Sequence, residues 1–406
     1  MDINQIRKDF PIFKSQPELI YFDNACMTLR PQSVIDAVNK YYTEYPVCAG
    51  RSAHKLADRL TQDIEQIRLK IAKFIGAKKK EEIIFTKSTT DAINLVANSL
   101  DLKKGDVVLG TDKEHNSNLA PWLRLVKNKG IVYTALPSRE DNSFDLEELG
   151  KTLKVNDGKI KLVAMVMTSN LDGTSIPAKE VVKVAHQYGA LVLLDAAQAV
   201  PHSKVDVRNL DADFLAFSGH KMCGPSGTGI LYGRKHLLEG LEPSVVGGGA
   251  LADSKYDSYE LLPLPERLEA GLQNFAGILG LGAAVEYIEK IGFKNIQEQE
   301  LKLNKFITEQ IGEVDKRIKI IGPEEPALRS GIITMHCTDL AGKSHEIGLM
   351  LDKMANIAVR SGQFCVHSWF NARNIQGALR ASFYFYNTMD EAEKFVEVLK
   401  KIVKLY

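Results

Sequence analysis

The sequence predicts an α/β fold, with a mostly parallel sheet flanked by helices and a smaller α+β body after it. Three observations carry this. From about residue 80, apolar β-type runs alternate with amphipathic helical runs. Those β-type runs are continuously apolar, as strands buried on both faces are. After about residue 318 the alternation gives way to short strands among helices.

Taken in order, EEIIFT (81–86) precedes the helical run TTDAINLVANSL, and DVVLG (106–110) precedes a helix through PWLRLVKNKG. IVYTALP leads to the helix FDLEELGKTL. KLVAMVMTS (161–169) precedes PAKEVVKVAHQYG, and ALVLLDAAQ follows. DFLAFS (213–218) and GTGILYG (227–233) complete seven strands. Residues 234–275 are rich in Gly and Pro and read as irregular. Two long helices follow, AGILGLGAAVEYIEKIG and a second over about 294–312. The strands IKIIG, GIITMHC and ALRASFYFYN and the closing helix DEAEKFVEVLKKIV form the last part. The domain boundary is expected near 280, since single cores stop growing near ~250–300 residues. A large domain then spans 18–280. A small one spans 281–406, with residues 1–17 packing against it. No internal repeat or low-complexity segment interrupts this order.

Hydrophobic content of 45% and charged content of 25% are ordinary for a soluble protein. A net charge of +1 gives no field that favours nucleic acid or an anionic membrane. The densest basic run, Lys78 to Lys80, is followed by two glutamates and reads as a solvated turn. MDINQIRKDFPIF has no apolar core of signal-peptide length, and no run reaches the ~18 apolar residues of a membrane span. The cytoplasm is the expected compartment. Cys26, Cys48, Cys223, Cys337 and Cys365 form no CxxC pair, so they are expected to be free thiols without a metal.

Two phosphate motifs fail. KSTTDAIN lacks Gly-x-Gly-x-x-Gly, and AGKS (341–344) has Cys337 where a phosphate loop needs glycine. Four other features fall at strand ends, where ligands bind in α/β folds. Ser88-Thr89-Thr90 opens a helix, which makes either an anion site or a plain N-cap. Asp195 ends a buried strand, with Gln198 three residues on; a carboxylate there needs a cationic partner or a capping role. His115 lies just past DVVLG and could be structural. Ser218, His220 and Lys221 stand together in FSGHKMCGP, at the mouth of another strand.

Pyridoxal phosphate makes sense of all four. Its phosphate suits the Ser/Thr helix start with Ser218 and His220. Asp195 suits the ring nitrogen, which keeps the ring an electron sink. His115 would stack on the ring. Lys221 would take the aldehyde, its ammonium pKa depressed by desolvation and neighbouring cations.

The chain also resembles the class V, fold-type I aminotransferase-like enzymes, and within them the SUF-type (group II) cysteine desulfurases and selenocysteine lyases. The strings that carry this include YFDNA (21–25), GRSAHKLA (50–57), IIFTKSTTDAINLVA (83–97), EHNSNLAPW (114–122), LDAAQAVPHSKVDV (194–207), DADFLAFSGHKMCGPSGTGILYG (211–233), IAVRSGQFC (357–365) and ALRASFYFYNT (378–388). The resemblance implies a seven-stranded large domain. It implies Lys221 as the cofactor-linking lysine, Asp195 and Gln198 on the ring, and His115 stacked over it. Thr89, Thr90, Ser218 and His220 fall to the phosphate. Arg380 would clamp the substrate carboxylate, with Asn170, His54 and Arg360 nearby, Asn170 also beside the cofactor.

Cys365 is implied as the nucleophile. It lies five residues after Arg360 and fifteen before Arg380. L-cysteine would become L-alanine while Cys365 keeps the sulfur as a persulfide, for iron–sulfur cluster or thiocofactor synthesis. The resemblance further implies a homodimer and a protein sulfur acceptor. Selenocysteine lyase or cysteine-sulfinate lyase is the alternative. An isopenicillin-epimerase-like racemase or a non-catalytic assembly scaffold stands behind it.

Three departures stand out. The family's His-His-Cys-Ala-Gln-Pro is Gln363-Phe364-Cys365-Val366-His367-Ser368 here. Its Gly-Thr-Pro-Asn, whose threonine reaches the partner's phosphate, is Gly271-Leu272-Gln273-Asn274, so that contact is lost or made by Gln273. Cys26 stands where Ala or Gly is usual, and Cys48 lies six before His54. Both are expected to pack, with a sulfur relay or soft metal ligand as the alternative.

Overall fold

The structure, a computed structural model, describes residues 1–50, 52–337 and 343–406. Ala341 and Gly342 of AGKS, Arg51 of GRSAHKLA and the side chain of Cys337 lie outside the described residues.

Seven strands form the central sheet: β1 (Ile83–Thr86), β2 (Val107–Thr111), β3 (Val132–Leu136), β4 (Ile160–Val166), β5 (Leu191–Asp195), β6 (Phe214–Ser218) and β7 (Gly229–Gly233). Their spatial order is β1-β7-β6-β5-β4-β2-β3. The pairs from β3 through β6 are parallel, and β7 is antiparallel to both neighbours. The sheet is therefore mostly parallel. Antiparallel β7 returns β1 to the common direction, so β1, β2, β4, β5 and β6 all end on one edge.

Side chains alternate between two cores, as the period of two requires. Val192 and Leu194 enter one apolar cluster, with Ile71, Met165 and Leu281. Leu193 enters the other, with Trp122, Leu162 and Phe214. Both faces of β5 are thus dry, which explains its unbroken apolar run.

Residues 234–275 are more ordered than their Gly and Pro content suggests. They hold a helix (Lys235–Glu239), an antiparallel hairpin (Leu251–Ser254 with Tyr259–Leu261) and a 3₁₀ turn (Glu266–Leu268). The hairpin is almost wholly exposed, so it carries no apolar face to read.

A four-stranded antiparallel sheet follows, in the order Ile318–Ile321, Ile332–Cys337, Ala378–Ser382, Arg360–Gly362. Helices Phe293–Val314, Ser344–Ala355 and Met389–Val403 supply its core, where Leu303, Leu351 and Phe395 cluster. Phe22 joins them, edge-on to Phe383 at 4.9 Å. Phe10 packs on Tyr287 and Tyr386, and Arg7 donates to the Tyr386 carbonyl at 3.0 Å. Among the described residues no helix is long and apolar enough to cross a membrane.

Candidate active site

The common edge of β1, β2, β4, β5 and β6 opens into a cavity of about 200 Å³, also lined by Arg360, Phe364, Cys365 and Arg380. It collects twelve of the thirteen site residues expected from the sequence.

One wall is the turn after β1. Ser88 caps the helix Thr89–Ser99, its hydroxyl accepting from the Asp91 N–H at 3.3 Å. Thr89 N–H donates to Ser218 Oγ at 2.8 Å, and the two hydroxyls meet at 2.6 Å. Thr90 Oγ1 meets Ser117 Oγ at 2.6 Å. This turn lies directly on β7: a Cβ at Gly229 would come within 2.6 Å of Ser88 Cα. Only glycine lets the two backbones approach so closely.

His115 caps the next helix, Asn116–Lys129, through Nδ1, which accepts from the Ser117 N–H at 3.1 Å. Burial, with Lys221 and Arg380 nearby, pushes the imidazole down to about 3, so it is neutral. Behind it Glu114 is buried. Its carboxylate accepts from Thr111 Oγ1 at 2.7 Å, Asn118 Nδ2 at 2.7 Å and Val166 N–H at 3.0 Å. Burial still pushes it up to about 7.

Asp195, at the end of β5, is buried and accepts from the Ala197 N–H at 3.0 Å. Burial raises its pKa, and the Lys221 charge opposes the rise. Gln198 donates to the Ala25 carbonyl at 2.6 Å, while its buried Oε1 has no partner among the described residues. Lys221 ends a 3₁₀ turn (Gly219–Lys221) directly after β6. Burial lowers its ammonium pKa against the pull of Asp195, and Arg380 lowers it further. His220 is pushed down to about 4 by burial, Lys221 and Arg30. The Thr28 N–H donates to the His220 carbonyl at 3.0 Å and pins the turn.

The opposite wall is cationic. Arg380 is buried in its strand, donating to the Asn170 carbonyl at 2.8 Å and lying 4.8 Å over the Phe364 ring. Its Nε has no partner among the described residues. Arg360 is its register partner on the neighbouring strand. Asp23 stands between them, 3.5 Å from Arg380 and 3.8 Å from Arg360. Two arginines against one carboxylate leave positive charge facing the cavity, which suits an anionic substrate group.

Cys365 is exposed, on a turn where Phe364 (φ 50°) and Cys365 (φ 60°) are both left-handed. The Asn116 N–H donates to the Cys365 carbonyl at 2.7 Å, and Asn170 Nδ2 to the Phe364 carbonyl at 2.9 Å.

His54 is the expected residue that this cavity does not collect. It is exposed, and its Nδ1 caps the helix Lys55–Phe74 by accepting from the Ala57 N–H at 3.2 Å. Leu272 is exposed, and Gln273 donates to the Glu269 carbonyl of its own loop at 2.7 Å. Cys26 lines the cavity and Cys48 does not. Two contributors were missed in the sequence. Ser117 links His115 to Thr90, and Asp23 sits between the arginines. Ser117 follows His115 by two residues at a helix start, which is a readable signal. Asp23 lies far from Arg360 and Arg380 in sequence, and only the fold joins them.

The donor set fits pyridoxal phosphate. Hydroxyls and N–H groups at a helix start suit a phosphate. A buried carboxylate suits a ring nitrogen, a lysine of lowered pKa suits an aldehyde, and the unpaired Gln198 Oε1 leaves an acceptor for a hydroxyl. Among the described residues no three His, Cys, Asp or Glu side chains gather as a metal site.

The family model described as aminotransferase class-V matches residues 20–395. The chain belongs to the class-V aminotransferase family. This class-V chain is 40% identical over 402 residues to a probable cysteine desulfurase of Pyrococcus abyssi, covering 98% of this chain and 97% of that one. An apo cysteine desulfurase from Thermococcus onnurineus NA1 superimposes with a TM-score of 0.93 at 38% identity, covering 99% and 98% of the two chains. At 21% identity and a TM-score of 0.82, a C-DES mutant with glycine covalently linked to its PLP cofactor shares the fold, covering 97% and 98%.

Proposed function

We propose that the protein is a pyridoxal-phosphate-dependent cysteine desulfurase, converting L-cysteine to L-alanine and keeping the sulfur as a persulfide on Cys365. One observation carries this: Lys221, Asp195, Arg380 and Cys365 share a cavity. The full-length likeness to proteins named cysteine desulfurase supports it.

When bound, pyridoxal phosphate supplies an aldehyde that captures an amine and a ring that draws electrons from it. Thr89, Thr90, Ser218 and His220 would hold its phosphate. Asp195 would keep the ring nitrogen protonated, Gln198 and Asn170 would hold its edge, and neutral His115 would cover its face. Arg380 clamps the substrate carboxylate with a planar fork, and Arg360 adds charge beside it. Lys221 Nζ, with its proton affinity lowered by burial, takes the α-proton. Cys365 Sγ attacks the substrate sulfur as a thiolate. The C–S bond breaks, an S–S bond forms, and the carbon fragment gains protons and leaves as alanine. A second copy of the chain and a protein thiol that accepts the sulfur are the partners this chemistry calls for.

The deciding experiment measures alanine and sulfane sulfur from L-cysteine, for wild type and Cys365→Ala, with selenocysteine in parallel. Loss of cysteine turnover in the variant, with selenocysteine turnover kept, is the expected result. Equal cysteine turnover in both would overturn the role of Cys365. Turnover of selenocysteine alone by the wild type would make the protein a selenocysteine lyase.

A further inference from the structure

We propose that Cys26 is a second sulfur carrier, which takes the outer sulfur of the Cys365 persulfide. The proposal rests on the desulfurase reading above and goes beyond it.

Cys26 is half-buried and lines the same cavity as Cys365, Lys221 and Arg380. Cys48 is exposed and does not line it, and Cys223 is buried away from it. Among the described cysteines, then, two thiols share one chamber. Cys26 is also held in place. Its N–H donates to the Asp23 carbonyl at 3.1 Å, and the N–H of Met27 donates to the same oxygen at 3.2 Å. The preceding residue is pinned on both sides: Ala25 N–H donates to Ser382 Oγ at 2.9 Å, and its carbonyl accepts from Gln198 at 2.6 Å. Lys221 and Arg380 lie within electrostatic reach of the Cys26 sulfur.

Reach favours the outer sulfur as the point of attack. A persulfide extends Cys365 by one S–S bond, about 2.05 Å, so its outer sulfur can enter the chamber further than Sγ does. Cys26 thiolate attacks that sulfur. A new S–S bond forms on Cys26, the S–S bond to Cys365 breaks, and Cys365 leaves as thiolate. The proton lost by Cys26 is matched by the one Cys365 regains. The number of sulfane sulfurs does not change, and no oxidant or reductant is needed. Cys365 is then free for a second substrate before any acceptor arrives.

The test uses the holoenzyme with excess L-cysteine and neither reductant nor acceptor. Thiols and persulfides are blocked with a maleimide, peptides are weighed by mass spectrometry, and sulfane sulfur is counted by cyanolysis. The Cys26 and Cys365 peptides are each expected to carry one extra sulfur, and the Cys48 peptide none. Cys26→Ser should halve the sulfane sulfur and leave Cys365 loaded. Cys365→Ser should leave Cys26 unloaded. A Cys26 peptide without extra sulfur beside a loaded Cys365 would overturn the relay. So would a Cys26–Cys365 disulfide in its place, or Cys48 loaded to the same extent. A wild type whose Cys365 is never loaded would instead remove the desulfurase reading, and the relay with it.

Discussion

The backbone N–H of Asn116 donates to the carbonyl oxygen of Cys365 at 2.7 Å. The first turn of the helix beside His115 thus holds the turn that carries the thiol. Asn116 is the first helical residue, where proline is tolerated, and His115 before it (φ −60°, ψ 145°) already has the backbone that proline demands. Asn116→Pro is therefore expected to keep the helix and delete that one donor. Net hydrogen-bond values of ~0.5–1.5 kcal/mol set the loss in persulfide formation at up to about tenfold. Amide exchange in 360–366 should quicken. Asn116→Ala, which loses only the side-chain bond to His367 at 2.8 Å, should stay within about 0.5 kcal/mol of wild type. Equal behaviour of the two variants would remove the tether.

Arg380→Lys keeps the charge and loses the fork. Hydrogen bonds to charged groups contribute ~1.5–3 kcal/mol, so the KM for cysteine should rise roughly 10- to 100-fold. Steady-state kinetics checks this, and an unchanged KM would separate Arg380 from the substrate carboxylate.

Arg68 and Glu269 form a buried bidentate pair at 2.6 and 2.9 Å. Glu269 also accepts from the Phe85 N–H at 2.6 Å, on β1 beside the Ser88 turn. Glu269→Ala removes the bidentate partner of a buried guanidinium, which keeps the Ile83 carbonyl at 2.7 Å and Glu65 at 3.5 Å. It also takes the acceptor from the Phe85 N–H, so it should cost about 3–5 kcal/mol. The double variant Arg68→Met, Glu269→Leu should recover part of that loss, since it removes the buried charge but still takes the partners of the Phe85 N–H and the Ile83 carbonyl. Urea denaturation of the apoprotein measures both.

Stability against pH should carry two slopes of opposite sign. His115 and His220 titrate at about 3 and about 4 in the fold and at about 6.5 unfolded. The unfolded chain binds their protons first, so stability present above about 6.5 is lost as pH falls through that window. Glu114 runs the other way. At about 7 in the fold, against about 4.3 unfolded, it is protonated in the native state, and stability falls as pH rises through that range. Urea midpoints should show His115→Asn flattening the first slope and Glu114→Gln the second.

The central strands were legible because both faces of β4, β5 and β6 are buried, and burial writes itself as unbroken apolar sequence. The hairpin at 251–261 was not, because an exposed hairpin imposes no pattern. Within the site, Lys221, Asp195 and Ser218 were readable since each ends or follows a buried strand, where a polar residue is conspicuous. Asp23 was not, because its importance comes from Arg360 and Arg380, more than three hundred residues away. His54 shows the converse. Its place near the substrate was implied by the resemblance alone; within one chain its ring caps a helix and lies outside this cavity.

The placement of β7 between β1 and β6 has a consequence for how the molecule is made. The first strand of the sheet finds its partner only in Gly229–Gly233. Thr89 likewise waits for Ser218. A growing polypeptide therefore carries β1 as an unpaired ribbon until most of the large sheet has left the ribosome, and pairing across so long a loop is slow. During that interval the apolar run Ile83–Thr86 is an unpaired edge that a chaperone could cover.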